Sequence, residues 1–135
     1  MADPLSITAS VLAVITAATI SARSLNDTVK RYTGRDKTLQ RLRHELEDLT
    51  KILDSLSLVT DAGDTMLELL QRPIERCSQI CSEFERSMTA FVGKSKTSLR
   101  DWARMEFMRG NINDFIDTIA GYKSTISVGL GSINL

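Results

Sequence analysis

Between Asp3 and Arg23 the chain has no charged side chain, whereas the rest of it carries a charge every three or four residues. This stretch, Pro4–Ala22 (PLSITASVLAVITAATISA), holds seven large aliphatics, five alanines and six Ser/Thr. As an α-helix its nineteen residues measure about 28 Å, near the hydrocarbon thickness of a bilayer. Asp3-Pro4 is a favourable helix start, an N-cap carboxylate followed by the residue preferred at the first helical position. The apolar side chains are spread around the helical wheel, so the segment is expected to need cover on most faces and to be the most enclosed helix of the fold. Either other helices or a membrane supplies that cover. As a span it is marginal: its aliphatics contribute roughly −2 to −4 kcal/mol on an insertion scale, and six hydroxyls oppose them. A secretory signal is not expected, because Met-Ala-Asp lacks a cation and the small-x-small cleavage site is poor.

Downstream, apolar residues recur at helical spacing. The first helix is expected to continue through Leu25, Val29 and Tyr32 to a break at Gly34. Leu39, Leu42, Leu46, Leu49, Leu53 and Leu56 form one seam on a helix of about 35–58, with charges elsewhere on its circumference. After the turn at 60–64, a third seam runs Leu67, Leu70, Ile74, Cys77, Cys81, Phe84, Met88, Phe91. Pro73 falls inside it and predicts a kink or short break near 69–73, with the seam keeping its register. A fourth seam contains Met105, Met108, Ile112, Phe115, Ile119, Tyr122, Ile126 and Ile133. Gly110-Asn111 is expected to divide it into helices of about 97–109 and 112–128, and Gly129 and Gly131 to loosen the end. The pattern predicts an all-α helical bundle of four to five main helices with a hydrophobic N-terminal helix. Residues 1–135 form one domain, expected to be the N-terminal module of a longer protein.

Seventeen basic and seventeen acidic residues cancel, which argues against nucleic acid as the main partner. No catalytic constellation is found, so an enzyme is not expected. His44, the one histidine, reads as a surface residue, and Cys77 and Cys81 as buried free thiols, four apart rather than in a CxxC pair. Gly93-Lys94-Ser95 lacks the upstream glycine and preceding strand of a phosphate loop. No catalytic, cofactor-binding or metal residue is therefore assigned. The candidate membrane-insertion residues are Leu5, Ile7, Val11, Leu12, Val14, Ile15 and Ile20. The candidate lipid-headgroup residues are Lys30, Arg31, Arg35, Lys37, Arg41 and Arg43, which crowd into fourteen positions against a single Asp36. Near an anionic lipid surface each cation is worth roughly 1 kcal/mol, while a solvated face around a turn is the simpler alternative.

Met-Ala-Asp-Pro-Leu-Ser-Ile (residues 1–7) and the uncharged helix after it resemble the start of the fungal HeLo-like domain. That domain stands at the N-terminus of fungal NOD-like (STAND) receptors and of an azaphilone-pigment-cluster protein. The leucine helix 39–56, the Cys/Phe helix 77–91 and Tyr122-Lys123-Ser124-Thr125-Ile126 are similar to the family in order and spacing. The last helix departs from it at Ala120-Gly121, where larger residues are expected. The resemblance implies a bundle related to fungal HeLo toxins and to the four-helix domain of the mixed-lineage-kinase-like necroptosis effector. It implies a cytoplasmic resting state, clustering by an upstream receptor or amyloid-signalling partner, self-association, movement to the plasma membrane and permeabilisation through the N-terminal helix on anionic lipids. The alternative expectation is a non-toxic interaction or signalling module whose first helix never leaves the core.

Overall fold

The computed structural model describes residues 4–32, 36–59, 65–94 and 111–133, with side chains over 9–31, 36–59, 65–90 and 111–133. All four segments are helical: α1 (Pro4–Tyr32), α2 (Lys37–Leu58), α3 (Thr65–Lys94) and α4 (Asn111–Ile133). No strand occurs among the described residues. The short helix expected over 97–109, with Leu99, Trp102, Met105 and Met108, lies outside them, as do Gly34 and the side chain of Phe91.

α2 shows how local chemistry sets the boundaries. Asp36 sits extended at the N-cap (φ −69°, ψ 115°) and its Oδ1 accepts from the Leu39 N–H at 3.0 Å, satisfying one of the free donors of the first turn. At the other end the Val59 N–H returns to the Leu56 carbonyl at 3.2 Å. Between the caps all six leucines of the seam are fully buried. α1 ends on Lys30 and Arg31, which complement the negative end of its dipole.

α1 packs on α2 and α3, and α4 packs on the same two helices. The ring order is therefore α1-α2-α4-α3, with α1 and α4 on one diagonal and α2 and α3 on the other. Among the described residues, neither diagonal pair makes comparably extensive contact. Cross-helix pairs give the directions. Ser21 meets Ser78 and Ser82 while Thr28 meets Glu85, so α1 and α3 are parallel neighbours. Phe84 stacks on Phe115 with centroids 4.1 Å apart, and Leu70 meets Gly129, so α3 and α4 are antiparallel. α2 runs back along α1 and is joined to α4 by Lys123 Nζ, 2.8 Å from Glu45 Oε2 and 3.3 Å from Asp48 Oδ2. Both bonds, that to Glu45 foremost, hold the Lys123 ammonium above its ordinary pKa against the opposing effect of burial.

Three expectations are corrected. The N-terminal segment is not the most enclosed helix: from Ala9 onward α1 buries one stripe, Val11, Ile15, Ala18, Ala22, Leu25 and Val29, and Ile20 is 62% exposed. The stripe advances by 4, 3, 4, 3, 4 residues, an ordinary amphipathic register in which two of six positions are alanine. Next, of the two alternatives at Pro73, a kink or a short break near 69–73, the break is the one corrected: α3 passes through Pro73 as one continuous helix. Leu69, whose carbonyl loses its amide partner to Pro73, is an exposed residue, where water can replace the missing donor. Finally, α4 does not stop near 128 or loosen at its glycines but continues to Ile133, with Gly129 inside the core. Its buried row is Ile112, Ile116, Ile119, Ile126 and Gly129, so Ile116 and Gly129 join the seam while Phe115 and Tyr122 are half-buried at its edge.

Candidate functional site

α1 is the one helix among the described residues long and apolar enough to cross a membrane, over Ala9–Arg31, and a third of its qualifying 18-residue window is buried. Of the insertion candidates, Val11 and Ile15 lie in the core, Leu12 and Val14 are half-buried and Ile20 faces solvent. Leu5 and Ile7 belong to α1, with side chains outside the described set.

The solvent face of α1 differs from that of its neighbours. Its exposed residues before Arg23 are Ala9, Ser10, Ala13, Thr16, Ala17 and Ile20, all uncharged. α2 instead exposes Lys37, Arg41, His44, Asp48 and Lys51, and α3 exposes Glu68, Arg72, Glu75, Arg76, Glu83 and Arg86. A helix that meets only water on its outer side ordinarily carries such charges. Thr19 Oγ1 donates to the Ile15 carbonyl at 2.9 Å, so this hydroxyl is satisfied within the helix and adds little to the cost of an apolar setting. Sequence reasoning missed a second uncharged stretch: α4 carries no charge beyond Lys123 and exposes Val128 at 69%. It lies diagonally across the bundle from α1.

Hydroxyls join α1 to α3. Ser21 Oγ lies 3.1 Å from Ser78 Oγ and 3.2 Å from Ser82 Oγ. One turn on, Ser24 Oγ donates to Glu85 Oε1 at 2.7 Å, and Thr28 Oγ1 donates to the same oxygen at 3.1 Å. Before Ser21 the two helices border an open groove of about 450 Å³ between Ala13, Val14 and Ala17 of α1 and Glu75, Ser78 and Gln79 of α3. Neutral hydroxyl pairs contribute about 0.5–1.5 kcal/mol each and exchange readily for water, while a bond to an ionised acceptor is worth more. The sequence-level signal for this ladder was only that Ser/Thr recur in α1 at spacings of three and four. The exposed Arg23–Asp54 ion pair (2.6 Å) adds a link to α2.

The basic residues divide. Lys30 and Arg31 are exposed at the end of α1, and Lys37 and Arg41 are exposed at the start of α2, so the α1–α2 corner is cationic. Arg43 is half-buried and reaches Glu47 at 3.5 Å, which withdraws it from the free group. Arg35 lies outside the described residues. Along α1, Lys30 is about 32 Å from Ala9, so the cationic corner and the uncharged half occupy opposite ends.

Cys77 and Cys81 are free and buried. A hydrogen bond with Cys77, then burial, pushes the Cys81 thiol well above its usual range, which suits packing and not nucleophilic chemistry. His44 is exposed, as its sequence setting implied. Among the described residues no three His, Cys, Asp or Glu side chains gather as a metal site.

The described residues thus form an all-α bundle of helices packed side by side, with a long apolar first helix. The model of the family described as pigment biosynthesis cluster protein PigL N-terminal matches residues 2–135, and the chain belongs to that family. Helical domains of this kind are in general not enzymes. No curated protein and no solved structure matches the chain.

Proposed function

We propose that the domain is a membrane-targeting effector module of the cell-death type known for HeLo-like domains in fungal allorecognition and innate immunity. On this reading it rests in the cytoplasm as a closed bundle and, when clustered, moves to the plasma membrane and permeabilises it through α1. The observation that carries the reading is the uncharged outer face of α1 through Ala22, on a helix of membrane-spanning length that ends in a cationic corner. With the N-terminal half in lipid, Lys30, Arg31, Lys37 and Arg41 would stand at headgroup level. The partners are anionic membrane lipids and further copies of the chain, with an upstream receptor or amyloid-signalling partner as the trigger.

A second reading, an interaction module whose α1 stays in place, is favoured by the complete burial of Val11, Ile15, Leu25 and Val29. Extracting those four side chains costs roughly 6–12 kcal/mol at about 1.5–3 kcal/mol each. Insertion therefore needs the lipid and neighbouring copies to replace what the bundle supplied.

Dye release from anionic liposomes separates the readings, using the chain fused to an inducible oligomeriser. The effector reading expects leakage only after clustering, weaker at high salt. It expects less leakage when Lys30, Arg31, Lys37 and Arg41 become Glu, with the fold of each protein checked by circular dichroism. If clustered, folded wild type neither binds nor leaks such liposomes at low salt, the interaction module is the correct reading.

A further inference from the structure

We infer that Glu85 is a latch that holds α1 in the bundle, and this rests on the reading of α1 as the element that leaves for the membrane. Of the described hydrogen bonds between α1 and α3, Ser21 with Ser78 and Ser82 joins neutral hydroxyls, each replaceable by water. Glu85 is the one carboxylate acceptor among them, and a single oxygen, Oε1, accepts hydrogen bonds from Ser24 Oγ at 2.7 Å and Thr28 Oγ1 at 3.1 Å. Because α1 and α3 are parallel neighbours, these bonds run side to side and must all break when α1 separates laterally. Glu85 is half-buried, with Arg86 and Thr89 beside it along the open groove on that face of α3, so the clamp lies within reach of solvent. It is also placed at the far end of α1 from its uncharged half. Breaking the clamp leaves the apolar stripe Val11–Val29 and the Ser21 contacts with Ser78 and Ser82 intact and removes only the two bonds to the carboxylate.

The test is hydrogen exchange, read helix by helix, on the full 135-residue chain. Glu85→Ala is expected to speed exchange of α1 amides by about tenfold or more, the loss of hydrogen bonds to a charged acceptor, with α2 and α4 unchanged. Glu85→Gln, which keeps the shape and one acceptor oxygen, is expected to show a smaller increase. The double variant Ser24→Ala/Thr28→Ala approaches the clamp from the other helix; it should reproduce Glu85→Ala and add nothing to it. Arg23→Ala, which removes only the exposed pair with Asp54, serves as the control. If α1 in Glu85→Ala exchanges as in wild type, or if all four helices speed up equally, Glu85 is not a latch. The same proteins, clustered on anionic liposomes, separate this inference from the one it rests on. Selective opening of α1 with leakage at lower protein concentration supports both, and selective opening with no leakage keeps the latch and overturns the membrane reading.

Discussion

Gly129 of α4 lies so close to Leu70 of α3 that a β-carbon on it would stand 2.6 Å from Leu70 Cδ1 and 2.8 Å from Cδ2. No real β-carbon tolerates that separation, and Leu70 is 97% buried, so its isobutyl group has little room to turn. The glycine is what lets two antiparallel helices approach at this level. Gly129→Ala should therefore destabilise the bundle despite alanine's better helix propensity, because overpacking costs about 1–3 kcal/mol against a propensity gain of about 1 kcal/mol. In a Leu70→Ala background the penalty should vanish and the sign reverse. Denaturant melts of the four proteins in this cycle check both statements.

Gly121 and Gly131 have nothing within 4 Å of where a β-carbon would sit. Both are exposed helical positions. Alanine at either should stabilise the fold by about 0.5–1 kcal/mol through backbone entropy alone. A loss of stability at either position would show that α4 is not helical there in solution.

Leu46 and Leu49 are fully buried at the middle of the α2 seam. Replacing either by alanine should cost about 2–5 kcal/mol, as other large-to-small core changes do. A cost below about half a kilocalorie in urea melts would mean that the seam faces water.

The raised pKa of Cys81 gives a directional prediction at alkaline pH. The folded chain favours the protonated thiol, while the unfolded chain titrates near the usual 9.0, so between the two values the native state binds the extra proton. Stability is complete below pH 9 and falls above it, by at most about 1.4 kcal/mol per pH unit for this one group. Lys123, also raised, contributes fully below the usual 10.5 and loses that contribution as the pH rises from there through its folded value. Cys81→Ala should flatten the decline that begins near pH 9, measured by melts from pH 7 to 10. At pH 8 neither thiol should react with a disulfide reagent faster than the helices open.

The leucine seam of α2 was fully legible in the sequence, because six identical large residues at 3–4 spacing stand out against charges on every other face. The buried stripe of α1 was not. Ala18 and Ala22 hold core positions while Leu12, Val14 and Ile20 lie off the stripe, so hydrophobicity alone points to no single face. Small residues enter a core because a neighbouring helix comes close, and closeness is a tertiary fact. The same holds for Gly129, which reads as a terminator until Leu70 is placed against it. At the candidate site the uncharged segment and the cationic corner were both apparent. The hydroxyl ladder to Glu85 was not, since its partners lie 57 and 61 positions apart in the chain. Arg43 stands apart from the exposed cations because its i,i+4 neighbour Glu47 lies within reach, a pairing the sequence spacing already offers.

The ring order α1-α2-α4-α3 makes α1 a keystone. Among the described residues α2 and α3 sit across a diagonal without extensive contact, so α1 bridges them on one side, as α4 does on the other. Withdraw it and the ring opens into a trough, with part of the α2 leucine row along one wall and the Cys77–Cys81 row along the other. Such a trough would present apolar side chains to water and is shaped to accept a helix. A chain that surrenders α1 to lipid would thus become adhesive towards its own kind in the same step, and two thiols once sealed inside would report the moment it happened.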